Sequence, residues 1–157
     1  MTVKVMFVCL GNICRSPTAH GVFQSLINNQ GLQGHIYVES SGTASWHVGK
    51  PPDTRATAFA AARGVDLRDL RAQQVKALDF KSFDYILAMD KQNLKDLLAL
   101  KPHDYAGELD LFLSFSSMGE SEVPDPYYGG DEGFERVLDL VESASKGLLA
   151  HIKQRSS

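Results

Sequence analysis

The chain has 157 residues, 43% of them hydrophobic and 22% charged, with a formal net charge of −3. That balance excludes a disordered or fibrous chain and fits one domain, residues 1–157, around a single core. The acidic excess argues against nucleic-acid binding, which needs a basic face, but not against a phosphorylated ligand held by a local cluster of donors.

Two cysteines, Cys9 and Cys14, are too few for a small secreted disulfide scaffold. The apolar run from Val3 to Leu10 is short, carries Lys4 and lacks a small-residue cleavage site, so it is a poor signal peptide. No stretch is long enough to span a bilayer. No membrane association is expected, and the default location is the cytoplasm.

In chain order, Val3 to Val8 is apolar and rich in β-branched residues, as a buried parallel strand requires. Gly11 and Asn12 break it. Ser16-Pro17 reads as a helix start, with Ser16 as cap and Pro17 at the first helical position. Ala19, Val22, Phe23, Leu26 and Ile27 then share one helical face. His35 to Glu39 is a second strand, and Ser40 to Asp53 a loop. Thr54 to Arg63 is an Ala-rich helix that stops at Gly64. Tyr85 to Met89 is a third strand, followed by a helix capped by Asp90. Leu109 to Leu113 is a fourth strand, and Ser114 to Gly130 a long polar loop. A C-terminal helix starts at Asp131 and carries Phe134, Val137, Leu138, Val141, Leu148 and Ile152 on one stripe.

Strands that alternate with helices predict an α/β, three-layer fold: a central four-stranded parallel sheet flanked by helices on both faces. Ligands of such sheets bind beyond the carboxyl ends of the strands. The loop after the first strand and the loop after the fourth both lie there.

The first of these loops, Cys9-Leu10-Gly11-Asn12-Ile13-Cys14-Arg15-Ser16, joins a strand to a helix. Such a loop can turn its N–H groups inward as an anion nest, reinforced by the helix N-terminus. Arg15 adds a planar fork that matches two phosphate oxygens. A thiol at the base of the nest is favoured as thiolate, the nucleophilic form. Ser16 can donate to that sulfur. The loop is not of the Walker type, since no Gly-Lys-Ser/Thr is present.

The pattern Cys-x5-Arg-Ser, with Gly-Asn inside it and Pro17 after it, resembles the signature of protein-tyrosine phosphatases, and its place at the N-terminus is similar to the low-molecular-weight family. The resemblance implies Cys9 as nucleophile, Arg15 as phosphate clamp, and the residues from Leu10 to Ser16 as the phosphate-binding loop. It also implies Asp125, in Asp125-Pro126-Tyr127-Tyr128, as general acid, stiffened by Pro124 and Pro126. Ser40-Ser41-Gly42-Thr43 resembles a family segment whose first Ser bonds the loop Asn, which assigns Ser40 to Asn12. Asp84 to Asp90, with Asn93 beyond it, follows another family segment. Ala72-Gln73-Gln74 lacks an Arg that the family often has, and Leu70 stands where some members have His.

Ile13, Trp46, Tyr127 and Tyr128 are candidates for the walls of an aromatic slot that would take a phosphotyrosine side chain of a protein substrate. Cys14 is a candidate redox partner that traps oxidised Cys9. The five histidines show no pair at metal-ligand spacing, so neither metal nor cofactor is expected. Three alternatives use related chemistry. A thiol-relay arsenate reductase of the same fold would need cysteines downstream of Cys14, and there are none. A protein-arginine phosphatase would have Thr in place of Ile13. A phosphate-ester-binding module would not need Cys9, Arg15 and Asp125 together. A monomer is the default.

Overall fold

The structure, a computed structural model, describes residues 2–126 and 130–156. Four strands, β1 (Val3–Cys9), β2 (Ile36–Gly42), β3 (Tyr85–Ala88) and β4 (Glu108–Leu111), form one parallel sheet in the order β2-β1-β3-β4. β1 is central because it is apolar on both faces. Val5, Phe7 and Cys9 point to one side of the pleat, and Met6 and Val8 to the other.

Helices α1 (Arg15–Asn29) and α5 (Asp131–Ser156) cover the first side, and α3 (Asp79–Ser82) and α4 (Lys91–Leu100) the second. Phe7 is the hub of the first side. Its ring meets Phe23 edge-on at 5.8 Å and Phe112 at 4.8 Å. Burying each such side chain contributes roughly 1.5–3 kcal/mol. α2 (Thr54–Ala62) begins at Asp53, whose carboxylate accepts from the N–H groups of Arg55 and Ala56. Arg63, just beyond α2, reaches Glu135, Asp139 and Glu142 on one face of α5 and ties the two helices. α5 carries Asp131 and Glu132 in its first turn and Lys153 and Arg155 in its last, which matches its dipole. Among the described residues no helix is long and apolar enough to cross a membrane.

Several boundaries differ from the sequence reading. Ser16 does not cap α1: the cap position falls on Cys14, with no side-chain bond, because the Ser16 hydroxyl is engaged elsewhere. β2 runs on to Gly42, since its last residues continue the pairing with Phe7, Val8 and Cys9. β4 ends at Leu111. The next four residues curl into a 3-10 turn that drives Phe112 into the core, helped by the Ser114 hydroxyl donating to the Leu111 carbonyl at 2.6 Å. α3 is too short to show a periodicity.

Candidate active site

The carboxyl ends of β1 and β2 bring Cys9 and Gly42 side by side. Between Cys9 and α1 the chain makes the tight loop 10–14. Asn12 sits there at φ 57°, a left-handed conformation that Asn tolerates better than most residues. Its neighbours pay for that strain with hydrogen bonds. The Asn12 N–H donates to Cys9 Sγ (3.3 Å), Asn12 Nδ2 donates to Ser16 Oγ (2.8 Å), and Asn12 Oδ1 accepts from the Gln73 N–H (2.9 Å).

Ser16 Oγ lies 3.0 Å from Cys9 Sγ and 3.2 Å from the Ser41 carbonyl. Because Asn12 already donates to Ser16 Oγ, the single hydroxyl proton is left for either the sulfur or that carbonyl. Ser16 can thus donate to a sulfur that bears charge and turn to Ser41 when it does not.

The loop carbonyls are turned away from the cleft. Those of Cys9, Leu10 and Ile13 accept from the N–H groups of Thr43, Ala44 and Asp53 at 2.9, 2.9 and 2.7 Å. In a trans peptide the N–H points opposite to the C=O. The N–H groups of Leu10, Gly11 and Cys14 are therefore directed to the other side, toward the cleft. N–H groups so turned, beside the N-terminus of α1 that no side chain caps, are an arrangement that can take up an anion.

Gly42 makes this packing possible. A Cβ there would stand 2.7 Å from the Leu10 carbonyl oxygen and 3.1 Å from the Asn12 nitrogen. A Cβ on Gly11 would stand 2.9 Å from His47 Cδ2, so the His47 ring lies directly against the loop.

Arg15 is 5% exposed. Its Nη1 donates to Asp90 Oδ2 (2.6 Å) and to the Val123 carbonyl (3.1 Å). Burial alone pulls its pKa down, but the Cys9 and Asp90 charges outweigh this and raise it, so it is a permanent cation. Asp90 has a second duty. Its Oδ1 accepts from the Asn93 N–H (2.7 Å), and the Asp90 N–H donates to Asn93 Oδ1 (3.3 Å), a reciprocal cap on α4.

Cys9, Leu10, Gly11, Ile13, Cys14, Arg15, Trp46, His47 and Asp125 line one cleft of about 260 Å³. The sequence-derived residues Cys9, Arg15, Asp125, Ile13 and Trp46 are thus brought together. Trp46 is 68% exposed and forms a lip rather than a buried wall. Tyr127 and Tyr128 lie outside the described residues. Cys14 is buried against Ala56, Phe134, Ile13 and Phe59. Burial, then the Asp53, Cys9 and Asp125 charges, push its thiol up to about 12.

The assignment of Ser40 to Asn12 is corrected. Ser40 Oγ bonds His20 Nδ1 at 3.1 Å, and Asn12 is held by Gln73 and Ser16. Adjacent residues of a strand face opposite sides, and it is the carbonyl of Ser41, not the side chain of Ser40, that reaches the loop. Gln73 stands where the family often has Arg. Its side chain donates to Glu39 Oε1 (2.8 Å) and the Ser40 carbonyl (2.9 Å), so the segment still clasps β2.

Four contributors were not read from sequence as parts of the site: Gln73, Gly42, His47 and the Arg15-bonding role of Asp90. Only Asp90 left a signal, as a helix cap. The others act through contacts between segments far apart in the chain: Gln73 by its N–H, Gly42 by its missing Cβ and His47 by its ring.

A family model of low molecular weight phosphotyrosine protein phosphatases matches residues 4–157. A low molecular weight protein-tyrosine-phosphatase of Streptomyces coelicolor is 41% identical, over 99% of this chain and 96% of its own. The crystal structure of a protein tyrosine phosphatase from Entamoeba histolytica superposes with a TM-score of 0.95 at 39% identity, over 99% of this chain and 100% of its own. That of a Drosophila arginine phosphatase gives 0.88 at 32% identity, over 96% and 98%. Sequence and fold agree along nearly the whole length, and the chain belongs to the low molecular weight phosphotyrosine protein phosphatase family.

Proposed function

We propose that this protein hydrolyses phosphotyrosine in protein substrates, and small aryl phosphates, through a cysteinyl-phosphate intermediate. The observation that carries the reading is one cleft lined by a sulfur, a buried guanidinium and a carboxylate, those of Cys9, Arg15 and Asp125.

The phosphate dianion enters the nest. Arg15, with Nη1 anchored on Asp90 and Val123, offers the rest of its fork to the equatorial oxygens. The Cys9 thiolate attacks phosphorus, the P–O bond to the tyrosine oxygen breaks, and Asp125 delivers a proton to that oxygen. Asp125, now a carboxylate, takes a proton from water as water attacks the cysteinyl-phosphate. The P–S bond breaks, inorganic phosphate leaves, and Ser16 donates to the departing thiolate sulfur. Ile13 and Trp46 flank the substrate ring, and Tyr127 and Tyr128 are proposed to complete the slot.

Phosphate release is measured from peptides that carry phosphotyrosine, phosphoserine or phosphoarginine, with EDTA and a reducing agent. Fast release from phosphotyrosine alone is expected. Preference for phosphoarginine would assign the chemistry of the Drosophila neighbour instead. Cys9→Ser is expected to abolish turnover while phosphate still binds, and Asp125→Ala to slow the first step by roughly 10²–10⁴-fold. Near-wild-type rates in either variant refute the assignment.

Residues 1–157 are proposed to act as one phosphatase domain, monomeric by default, and cytoplasmic, where a reducing environment keeps Cys9 the thiol the reaction needs. Light scattering at 17.2 kDa is the result expected of a monomer. Cys14 is proposed to trap oxidised Cys9 as a disulfide that thiols reverse. Wild type and Cys14→Ser are compared for recovery after peroxide and then thiol. Equal recovery sinks this role and leaves Cys14 as a packing residue beside Phe134.

A further inference from the structure

We infer that Glu122 is a positioning residue that holds Asp125 at the mouth of the cleft by anchoring the 122–126 segment to the N-terminus of α4. The inference rests on Asp125 as the proton donor.

Three hydrogen bonds fasten the base of this segment. Glu122 Oε2 accepts from the Lys91 N–H at 2.8 Å, the first N–H of α4. The Val123 N–H donates to the Met89 carbonyl at 2.8 Å, and the Val123 carbonyl accepts from Arg15 Nη1 at 3.1 Å. The Val123 side chain is 1% exposed. Glu122 is the only one of these anchors that depends on a side chain of the segment itself. Its carboxylate suits a helix N-terminus, where the free N–H and the dipole both favour negative charge. Asp90, the other carboxylate at this helix end, is committed to Asn93 and Arg15.

The anchor is stiffly connected to Asp125. Pro124 has φ fixed near −65°, and Val123 and Asp125 each precede a proline, which confines both to extended backbone. Few soft torsions therefore separate Glu122 from the Asp125 side chain. The Pro126 side, buried, seats the other end of the turn. Loss of the Glu122 contact frees the start of this lever and lowers the fraction of molecules with Asp125 in place. Arg15, which holds the substrate phosphate, keeps its Asp90 anchor, and its second partner, Val123, stays fixed by its own N–H bond to Met89 and by burial, neither of which involves Glu122. The effect must therefore fall on proton donation and spare phosphate binding.

The test compares kcat/KM for phenyl phosphate, whose leaving group needs a proton, and for 2,4-dinitrophenyl phosphate, whose leaving group does not. The proteins are wild type, Glu122→Ala, Glu122→Gln, Asp125→Asn and the double variant Glu122→Ala/Asp125→Asn. Inhibition by inorganic phosphate is read alongside. Glu122→Ala is expected to lose roughly fivefold on phenyl phosphate, the factor that follows from removing a helix-end acceptor. Its rate on the dinitrophenyl ester and its phosphate inhibition stay unchanged. Glu122→Gln, which keeps an acceptor oxygen, recovers most of the loss. In the Asp125→Asn background Glu122→Ala has no further effect. Equal losses on both esters, an undiminished loss in the double variant, or no loss at all would overturn the inference. Full activity of Asp125→Asn on phenyl phosphate would overturn the proton-donor reading, and this inference with it.

Discussion

Asp90 carries two duties on two different oxygens, and substitution can separate them. Oδ1 caps α4 through Asn93 and Oδ2 holds Arg15. Asparagine has one acceptor oxygen. Asp90→Asn can keep the cap, but it then presents an NH2 group to a guanidinium. Asp90→Ala loses both contacts. A hydrogen bond to a charged group contributes about 1.5–3 kcal/mol, and a lost cap costs about 1 kcal/mol. The Arg15 side chain is only 6% exposed, which favours the upper end, but the Asp90 side chain is 21% exposed, so water softens the loss. It stays below the 3–5 kcal/mol of a fully buried pair broken on one side. The expected costs are about 2 kcal/mol for Asp90→Asn and about 3 kcal/mol for Asp90→Ala. In a chain of this size they lower Tm by roughly 4–8 °C and 6–12 °C. Activity falls further than stability, because an Arg15 fork without its anchor no longer aims at the phosphate oxygens. A drop of about 10²-fold in kcat/KM is expected for both variants, the scale of an ångström of misplacement. Urea unfolding followed by circular dichroism gives the stability. Trp46 fluorescence is a poor reporter, since that residue is already exposed when folded. An Asp90→Asn protein with wild-type midpoint and wild-type kcat/KM would show that Asp90 does not orient Arg15, and the reasoning fails.

His20 gives a pH signature. Burial pulls its pKa from the ordinary 6.5 down to about 4, against a smaller upward pull from Glu39. The unfolded chain therefore takes up a proton in this interval that the folded chain refuses. Stability is full above pH 6.5 and drains away as pH falls toward 4, by about 3 kcal/mol in all. Urea midpoints at pH 7.5 and 4.5 should diverge more in wild type than in His20→Asn, and identical divergence would exclude His20 as the source. Gly42→Ala places a Cβ against the backbone of the phosphate loop rather than against a yielding side chain. We expect at least a tenfold weaker inhibition by inorganic phosphate with a melting point lowered by only a few degrees. Unaltered phosphate inhibition would mean that the loop can shift without harm.

Much of this protein is legible along the chain. The apolar run of β1, the α1 stripe from Ala19 to Ile27 and the Asp90 cap are local signals, and local physics produces the elements they announce. The alternation of strand and helix leads to a parallel sheet, and its carboxyl edge locates the cleft. Within the loop after β1, Cys9, Arg15 and Ser16 lie within eight residues of one another, so their meeting needs only a strand that turns into a helix. Other features were decided by tertiary structure. Ser16 looks like a helix cap by sequence, yet its hydroxyl is drawn to Cys9, Asn12 and Ser41, because the sheet brings those groups closer than the helix's own N–H groups. Asn12 is braced by Gln73, 61 positions away, and Arg15 by Asp90 and Val123, 75 and 108 away. Ser40 was misassigned for the same reason: which side of β2 a residue faces follows from its register against β1. Sequence by itself determined the main elements and singled out the candidate groups of the loop after β1, since both depend on neighbours in the chain. Which partner holds each group, and in what orientation, depends on segments that meet only when the sheet closes, and no local pattern encodes that choice.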